Sequence, residues 1–453
     1  MSPSQPHIGR LPDSPEVHLK RALGLPALTL FGLVYLVPLT VFTTYGLVTN
    51  ETGGRVALAY VLTLAAMLFT ALSYAQMVRA YPVSGSSYTY TQRTFGPHVG
   101  FLVGWALLLD YVLLPMLNYL VAGIYLTTEL PAVPVWAWAL ILLAAVTVLN
   151  IVGITMIAKM NVAIIAAQAI FIALFVVLAV KAFSGQGVDA LAPFRGDGSV
   201  TGLGPVLTGA SMLCLSFLGF DAVSTMAEEA RRPRVDIPRA IVTVTVGGGL
   251  LFVLLSWLSQ VALRTTSFAN PDNASVEVMA HLGGSLMSSL FVAAYVAGCF
   301  GSALTSQASV TRIMYTMGRD GVFPRALGML SPRFQTPVAA ITVVSVICIA
   351  SGFVDLALLA SLISFGALVA FSAVNLAVVK HYVVDGGERR GPDLLRYLVA
   401  PLVGFALTLW LWTSLAPSAL VVGLCWAGAG VLWLAVITRG FRRRPPVMDL
   451  DEV

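Results

Sequence analysis

Apolar stretches of about 17–30 residues recur from one end of the chain to the other, each long enough to cross a bilayer. Twelve are predicted, over 25–48, 56–79, 98–127, 135–152, 160–182, 203–227, 240–263, 284–315, 337–353, 357–380, 397–415 and 419–438. Outer-membrane strands would be far shorter and would alternate apolar with polar positions. The predicted fold class is therefore an all-α polytopic membrane protein with 12 transmembrane helices. The ninth run is short, so its ends are the least defined. No cleavable leader is expected, because the N-terminus is polar and proline-rich and the first apolar run is too long for a signal core.

The runs repeat. Pro38 stands in the middle of the first and Gly219 in the middle of the sixth, about 180 residues later. The third and eighth are the longest, separated by a similar offset. Five spans followed by five more must run in opposite directions, because five is odd. Interrupted helices at corresponding places in an inverted repeat point to the binding site of a transporter. The expected organisation is a tail over 1–24, a first repeat over 25–182 and a second over 203–380. Two further spans over 397–438 and a tail over 439–453 follow.

Composition supports the pattern. Of 453 residues, 58% are hydrophobic and 10% charged, against about 25% charged in an average soluble domain. A soluble enzyme, or a tandem of soluble domains, is excluded. The net charge of +5 does not call for a nucleic acid. With the N-terminus inside, 22 of the 26 Lys and Arg fall in inside segments, leaving Arg55, Lys181, Arg195 and Arg264 outside. Twelve spans return the C-terminus to the same side, where Arg439, Arg442, Arg443 and Arg444 lie, so both termini are expected in the cytoplasm. Cys214, Cys299, Cys348 and Cys425 all fall in apolar runs, which indicates neither a disulfide framework nor a metal site. There is no GxGxxG, Walker or HExxH motif; no enzyme class, cofactor or metal is implied.

Three stretches are more specific: PVSGSSYTYTQRTFG (82–96), FLGFDAVSTMAEE (217–229) followed by Ile237-Pro238-Arg239-Ala240, and RIMYTMGRDGVFP (312–324) followed by Thr336-Pro337. Together they resemble the amino acid–polyamine–organocation superfamily, over about residues 20 to 440. PHVGFLVGW (97–105), Leu109-Asp110-Tyr111 and SFGALVAF (364–371) look much like the corresponding stretches of its bacterial putrescine importers. The resemblance implies a secondary transporter of the leucine-transporter-like fold, with a five-plus-five inverted repeat, two added helices and an external lid helix near 270–283. It also implies a substrate site at the broken first and sixth spans.

The residues refine that expectation. Pro38 lacks an N–H and interrupts the first span, although it could simply kink it. Amino acid carriers of the superfamily place Gly-Ser-Gly here for a substrate carboxylate; the corresponding Pro38-Leu39-Thr40 removes a donor and adds bulk. Gly219, between Phe217 and Phe220, marks a break whose freed carbonyls suit an ammonium. The two rings could cover a cation or merely pack. Only Asp110 and Asp221 among 21 acids fall within the predicted spans. An acid at that depth costs about 2.5–3.5 kcal/mol on insertion scales and marks a partner or a pathway. A cationic substrate is one partner for Asp110; a hydrogen bond from Tyr111 or Asn118 is the alternative. Asp221 could bind substrate or hold the unwound backbone.

The chain departs from the putrescine importers at Thr43, where they carry an acid, and at Val83, where they tend to carry Glu. A monoamine, or another cationic or neutral nitrogen compound, is therefore open as substrate. The expected substrate site comprises Pro38, Leu39, Thr40, Thr43, Asp110, Tyr111, Ser216, Phe217, Gly219, Phe220 and Asp221. For coupling, the resemblance points to Thr305 and Ser306 as sodium-ligating hydroxyls. By spacing from Gly153 it places Gln168 where proton-coupled relatives carry a lysine. The expected function is proton-coupled import of a small amine such as putrescine by alternating access. An amino acid permease or exchanger of the same superfamily is the alternative. The expected partners are the substrate, a proton or sodium ion and the lipid bilayer.

Overall fold

The computed structural model describes residues 23–83, 86–152, 157–183, 189–227, 229–319, 321–388, 391–442 and 445. Gly153, Glu228, Arg443, Arg444 and nearly all of the predicted N-terminal tail lie outside them. Eleven helices among the described residues are long and apolar enough to span a membrane, and the shorter apolar Val338–Phe353 stands at the ninth position. In hydrocarbon every backbone N–H and C=O must be satisfied within the protein, which a helix does by itself.

Span 1 comprises Leu25–Leu36, a tight turn Pro38–Phe42 and a short helix Tyr45–Thr52. Spans 2 to 5 are Val56–Ala80, Pro97–Glu129, Val135–Val152 and Ile157–Phe183. Span 6 runs from Gly204 to Met226 and is broken in the middle. Span 7 is Pro233–Leu263, several residues longer at its start than the apolar run 240–263. Pro233 begins it without a wasted donor, and Arg232 pairs with Asp236 at 3.0 Å in its first turn. Span 8 belongs to the helix Ala274–Arg319, which is interrupted at Gly283 and Gly284. The piece before the interruption, Ala274–Leu282, occupies the place expected for a lid helix. Spans 10 to 12 are Leu356–Asp385, Gly391–Thr413 and Pro417–Ile437.

Burial shows which spans form the centre. Within their apolar windows, spans 3, 6 and 10 are 78%, 94% and 72% buried, while spans 4 and 12 are each 17% buried and face lipid. The discontinuous span 6 thus lies in the middle of the bundle, and its discontinuous counterpart, span 1, is 61% buried.

Two closures bracket that centre. At one face, Leu23 N–H donates to the Glu229 carbonyl at 3.0 Å and Arg231 N–H to the Leu23 carbonyl at 2.9 Å, tying the start of span 1 to the end of span 6. At the other, the Tyr125 hydroxyl and Ser275 Oγ both donate to the Phe42 carbonyl at 2.8 Å. Span 3 and the lid segment thereby close over the turn in span 1.

Candidate functional site

The break in span 1 follows from its sequence. A residue before proline is disfavoured in the helical region, and Val37 sits at φ 52°, ψ 101°, a rare conformation for a β-branched side chain. The freed carbonyls find local donors. Thr40 Oγ1 donates to the Leu36 carbonyl at 2.7 Å, and Ser302 Oγ reaches the Tyr35 carbonyl at 3.5 Å. Thr40 N–H is spent on the Val37 carbonyl at 2.8 Å. Pro38 has no N–H, so the turn does not present the run of free donors that a carboxylate needs.

In span 6 the break centres on Gly219, whose φ of +130° suits glycine alone. A Cβ there would lie 2.8 Å from the Gly32 carbonyl oxygen and 2.9 Å from Leu36 N, so the two breaks are packed backbone against backbone. Asp221 Oδ1 accepts the Gly219 N–H at 3.1 Å, which holds the unwound turn.

Between the breaks lies an enclosed cavity of about 20 Å³, room for one water. Span 1 contributes Tyr35, Val37, Thr40 and Thr43, and span 6 contributes Leu215 and Leu218. Span 3 contributes Leu114, Leu117, Asn118 and Val121, and span 8 contributes Tyr295, Cys299 and Ser302. Both sets recur at helical spacing, so each span turns one face to the cavity. Thr43 is hydrogen-bonded to the Tyr295 hydroxyl, and Asn118 Nδ2 donates to Ser302 Oγ at 3.1 Å.

Asp110 lies on the same face of span 3, four residues before Leu114 and so about one turn, or about 5.4 Å, along the helix. It is 2% exposed and no hydrogen bond reaches its carboxylate among the described residues. Neither local donor considered from sequence engages it. Asn118 gives its amide to Leu114 O and Ser302 Oγ, and the Tyr111 hydroxyl is directed to the Asp221 carboxyl instead. Tyr35 and Tyr111 stand with ring centroids 6.5 Å apart, and both are within electrostatic reach of Asp110 and Asp221. The two carboxyl groups also feel each other, and no Lys or Arg among the described residues pairs with either. Acids buried in a span with no cation paired to them among the described residues mark a partner or a pathway.

The remaining predicted residues divide. Thr40 and Thr43 line the cavity, whereas Pro38 and Leu39 shape the turn and do not. Ser216 Oγ bonds to the Tyr60 hydroxyl at 3.1 Å, away from the cavity. Phe217 packs edge-on against Phe252 at 5.5 Å, and Phe220 lies between Tyr74 and Phe371 at 5.6 and 5.2 Å. The aromatic walls of the cavity are Tyr35 and Tyr295 instead. These two, with Ser302, were missed from sequence; for Tyr295 and Ser302 the i, i+4, i+7 spacing with Cys299 was the available signal.

The hydroxyls of Thr305 and Ser306 donate back to Gly301 and Ser302 carbonyls at 2.9 and 2.7 Å. Gln168 is buried in span 5 with its Oε1 unpartnered. Its Nε2 fills the space beside Gly298, where a Cβ would lie 2.0 Å from it and 3.0 Å from Val37 Cγ1. Gln168 of span 5 and Val37 of span 1 thus both border Gly298 of span 8.

Comparison with known proteins agrees with this architecture. Residues 28–431 match the family profile described as amino acid permease. The chain is 38% identical over 452 residues to the low-affinity putrescine importer PlaP of Escherichia coli (strain K12), covering 98% of both chains. It is 29% identical over 409 residues to the branched-chain amino acid permease BcaP of Bacillus subtilis (strain 168), covering 86% of this chain and 85% of that one. With the methylthioribose transporter of the same organism it shares 24% identity over 444 residues, covering 93% and 92%.

Proposed function

The chain belongs to the amino acid permease family, and on that premise we propose that it imports a small aliphatic amine, putrescine or a related polyamine or monoamine. It is a carrier and not an enzyme, with both termini on the cytoplasmic side of the inner membrane. The observation that carries the substrate class is the Asp110 carboxylate, buried without a donor or a cation, one turn from the cavity between the broken spans. An ammonium supplies the missing charge. The turn after Val37 supports the choice, since it offers little to a substrate carboxylate.

Transport follows from the two closures. The cavity holds about one water, whereas sites for small molecules usually measure about 300–1,000 Å³. Binding therefore requires the spans to part, first at one face and then at the other. The Tyr125 and Ser275 bonds to Phe42 must open to admit substrate from one side, and the Leu23 pairing with residues 229–231 must open to release it on the other. The coupling ion is proposed to be a proton, carried inward on one carboxyl of the buried Asp110–Asp221 pair while the other faces the amine.

An amino acid permease is the second reading, supported by the likeness to a branched-chain amino acid permease. Proteoliposomes loaded at pH 7.5 and diluted into pH 6 buffer, with sodium or potassium as the external salt, separate the two. Saturable uptake of labelled putrescine or a monoamine, driven by the proton gradient and equal in both salts, is expected. Uptake of leucine but of no amine would overturn the substrate class, and dependence on sodium would overturn the coupling.

A further inference from the structure

Away from the transport path, a groove of about 540 Å³ opens between the ends of spans 2, 7 and 11. Three arginines from three different spans meet in it: Arg79, Arg239 and Arg396. Arg79 is within electrostatic reach of the other two, and no carboxylate pairs with any of the three among the described residues. Like charges gathered without a counter-ion repel one another, and an anion placed between them offsets that cost.

The groove is built, not incidental. Gln76, 6% exposed, accepts Arg79 Nη1 at 3.2 Å and Arg396 Nη2 at 3.0 Å through one oxygen, Oε1. A neutral amide thus fixes two guanidinium groups while leaving both charges uncompensated. Arg396 lies in a π-helical stretch, Leu395–Val399, a departure from α-helix that is frequent at functional sites. Its guanidinium rests 5.2 Å over the Tyr397 ring, which stacks on Tyr382 at 4.2 Å. The Tyr382 hydroxyl in turn donates to the Gln76 carbonyl at 3.1 Å, so the side chains around the arginines are mutually braced.

The rest of the wall is apolar and open. Leu72 is 38% exposed and Leu395 is 64% exposed. In a spanning protein such leucines meet acyl chains, and the arginines at the ends of the spans meet the headgroup layer. We propose that this groove binds an anionic phospholipid, with its phosphodiester among Arg79, Arg239 and Arg396 and an acyl chain along Leu72 and Leu395. Basic pockets between transmembrane helices suit such headgroups, and guanidinium forks match phosphate oxygens in pairs.

The test uses the full-length protein in nanodiscs of phosphatidylcholine, alone or with phosphatidylglycerol. It reads thermal stability, and lipid retained on release by native mass spectrometry. The wild type should gain stability with phosphatidylglycerol, retain it in preference to phosphatidylcholine, and not respond to 10 mM inorganic phosphate. Replacing all three arginines with Gln should weaken retention by about tenfold or more, a loss of at least one charge-assisted hydrogen bond. Gln76→Glu should do much the same while keeping every arginine, since it supplies the counter-charge from within; it serves even if the triple variant does not fold. Undiminished retention by Gln76→Glu overturns the proposal, as does a full response to inorganic phosphate, which would mark a free-anion site.

Discussion

Replacing Gly219 with alanine tests whether the two breaks hold each other closed. The new methyl carbon would lie 2.8 Å from the Gly32 carbonyl oxygen, 2.9 Å from Leu36 N and 3.2 Å from Leu36 Cβ. Two of these are backbone atoms of span 1, so no side-chain rotation relieves the contact. Spans 1 and 6 must separate by about half an ångström at the break. The backbone adds to this, because φ of +130° is costly for any residue with a Cβ, by about 1–3 kcal/mol. Overpacking contributes about 1–3 kcal/mol more. Even about 2 kcal/mol shifts the ratio of closed to open molecules by about thirtyfold. Cys299 reports on this directly, since it lines the cavity and is 2% exposed. In a Cys425→Ser background, which removes the exposed thiol, Gly219→Ala should speed alkylation of Cys299 by about thirtyfold or more and lower the melting temperature. Gly247→Ala is the control, in an open part of span 7 with nothing near the added carbon. It should be neutral or stabilising by up to about 1 kcal/mol. Unchanged Cys299 labelling and an unchanged melting temperature in Gly219→Ala would refute the reasoning.

Other expectations follow from the same geometry. Gly366→Ala places a methyl 2.6 Å from the Ala106 carbonyl and 3.1 Å from Asp110 N, so span 10 should lift from span 3 at a cost of about 1–3 kcal/mol; amine binding and melting temperature should fall together. Tyr125→Phe removes one of two donors to the Phe42 carbonyl and should weaken that closure by about 0.5–1.5 kcal/mol. Faster Cys299 labelling from the face of the lid segment, and not from the face of the chain termini, is the check. Outside the spans, hydrogen bonds from the Ser199 and Thr266 hydroxyls hold the exposed Asp197 carboxyl down at about 2. Its contribution to stability is complete above the ordinary aspartate range, declines as pH falls below 3.8 and is lost by about 2. Trp257, which donates to the carbonyl of Ala190, seven residues before Asp197, at 2.8 Å, reports on this segment in a single-tryptophan variant. Its fluorescence should stay constant from pH 7 to 4, and a transition near the unperturbed value of 3.8 would contradict the assignment.

Much of the fold was legible because a bilayer leaves so few alternatives. Long apolar runs became spans, Pro38 and Gly219 fell at the two breaks, and the glycine pair at 283–284 divided the lid segment from span 8. The site was legible in part. Asp110 stands out since an acid is rare in an apolar run, but which neighbours reach it depends on tertiary packing, and neither Tyr111 nor Asn118 does. Phe217 and Phe220 could not be oriented from sequence, because helical phase is lost where the helix unwinds; both turned into the aromatic core. Span 10 continues past residue 380 through the π-helical stretch Val379–Asp385, and span 11 has another at Leu395–Val399. Neither carries a composition signal, because their i→i+5 bonding depends on what packs around them.

The central claim is that Asp110 is the counter-charge of a cationic substrate, and equilibrium binding of labelled putrescine to purified wild type and Asp110→Asn tests it most directly. The two proteins should melt alike, because Asn keeps the shape and the carboxylate makes no hydrogen bond to lose. Removing one partner of a buried charge pair costs about 2–5 kcal/mol, so affinity should fall by at least about thirtyfold. Binding by Asp110→Asn within about threefold of wild type would contradict the account.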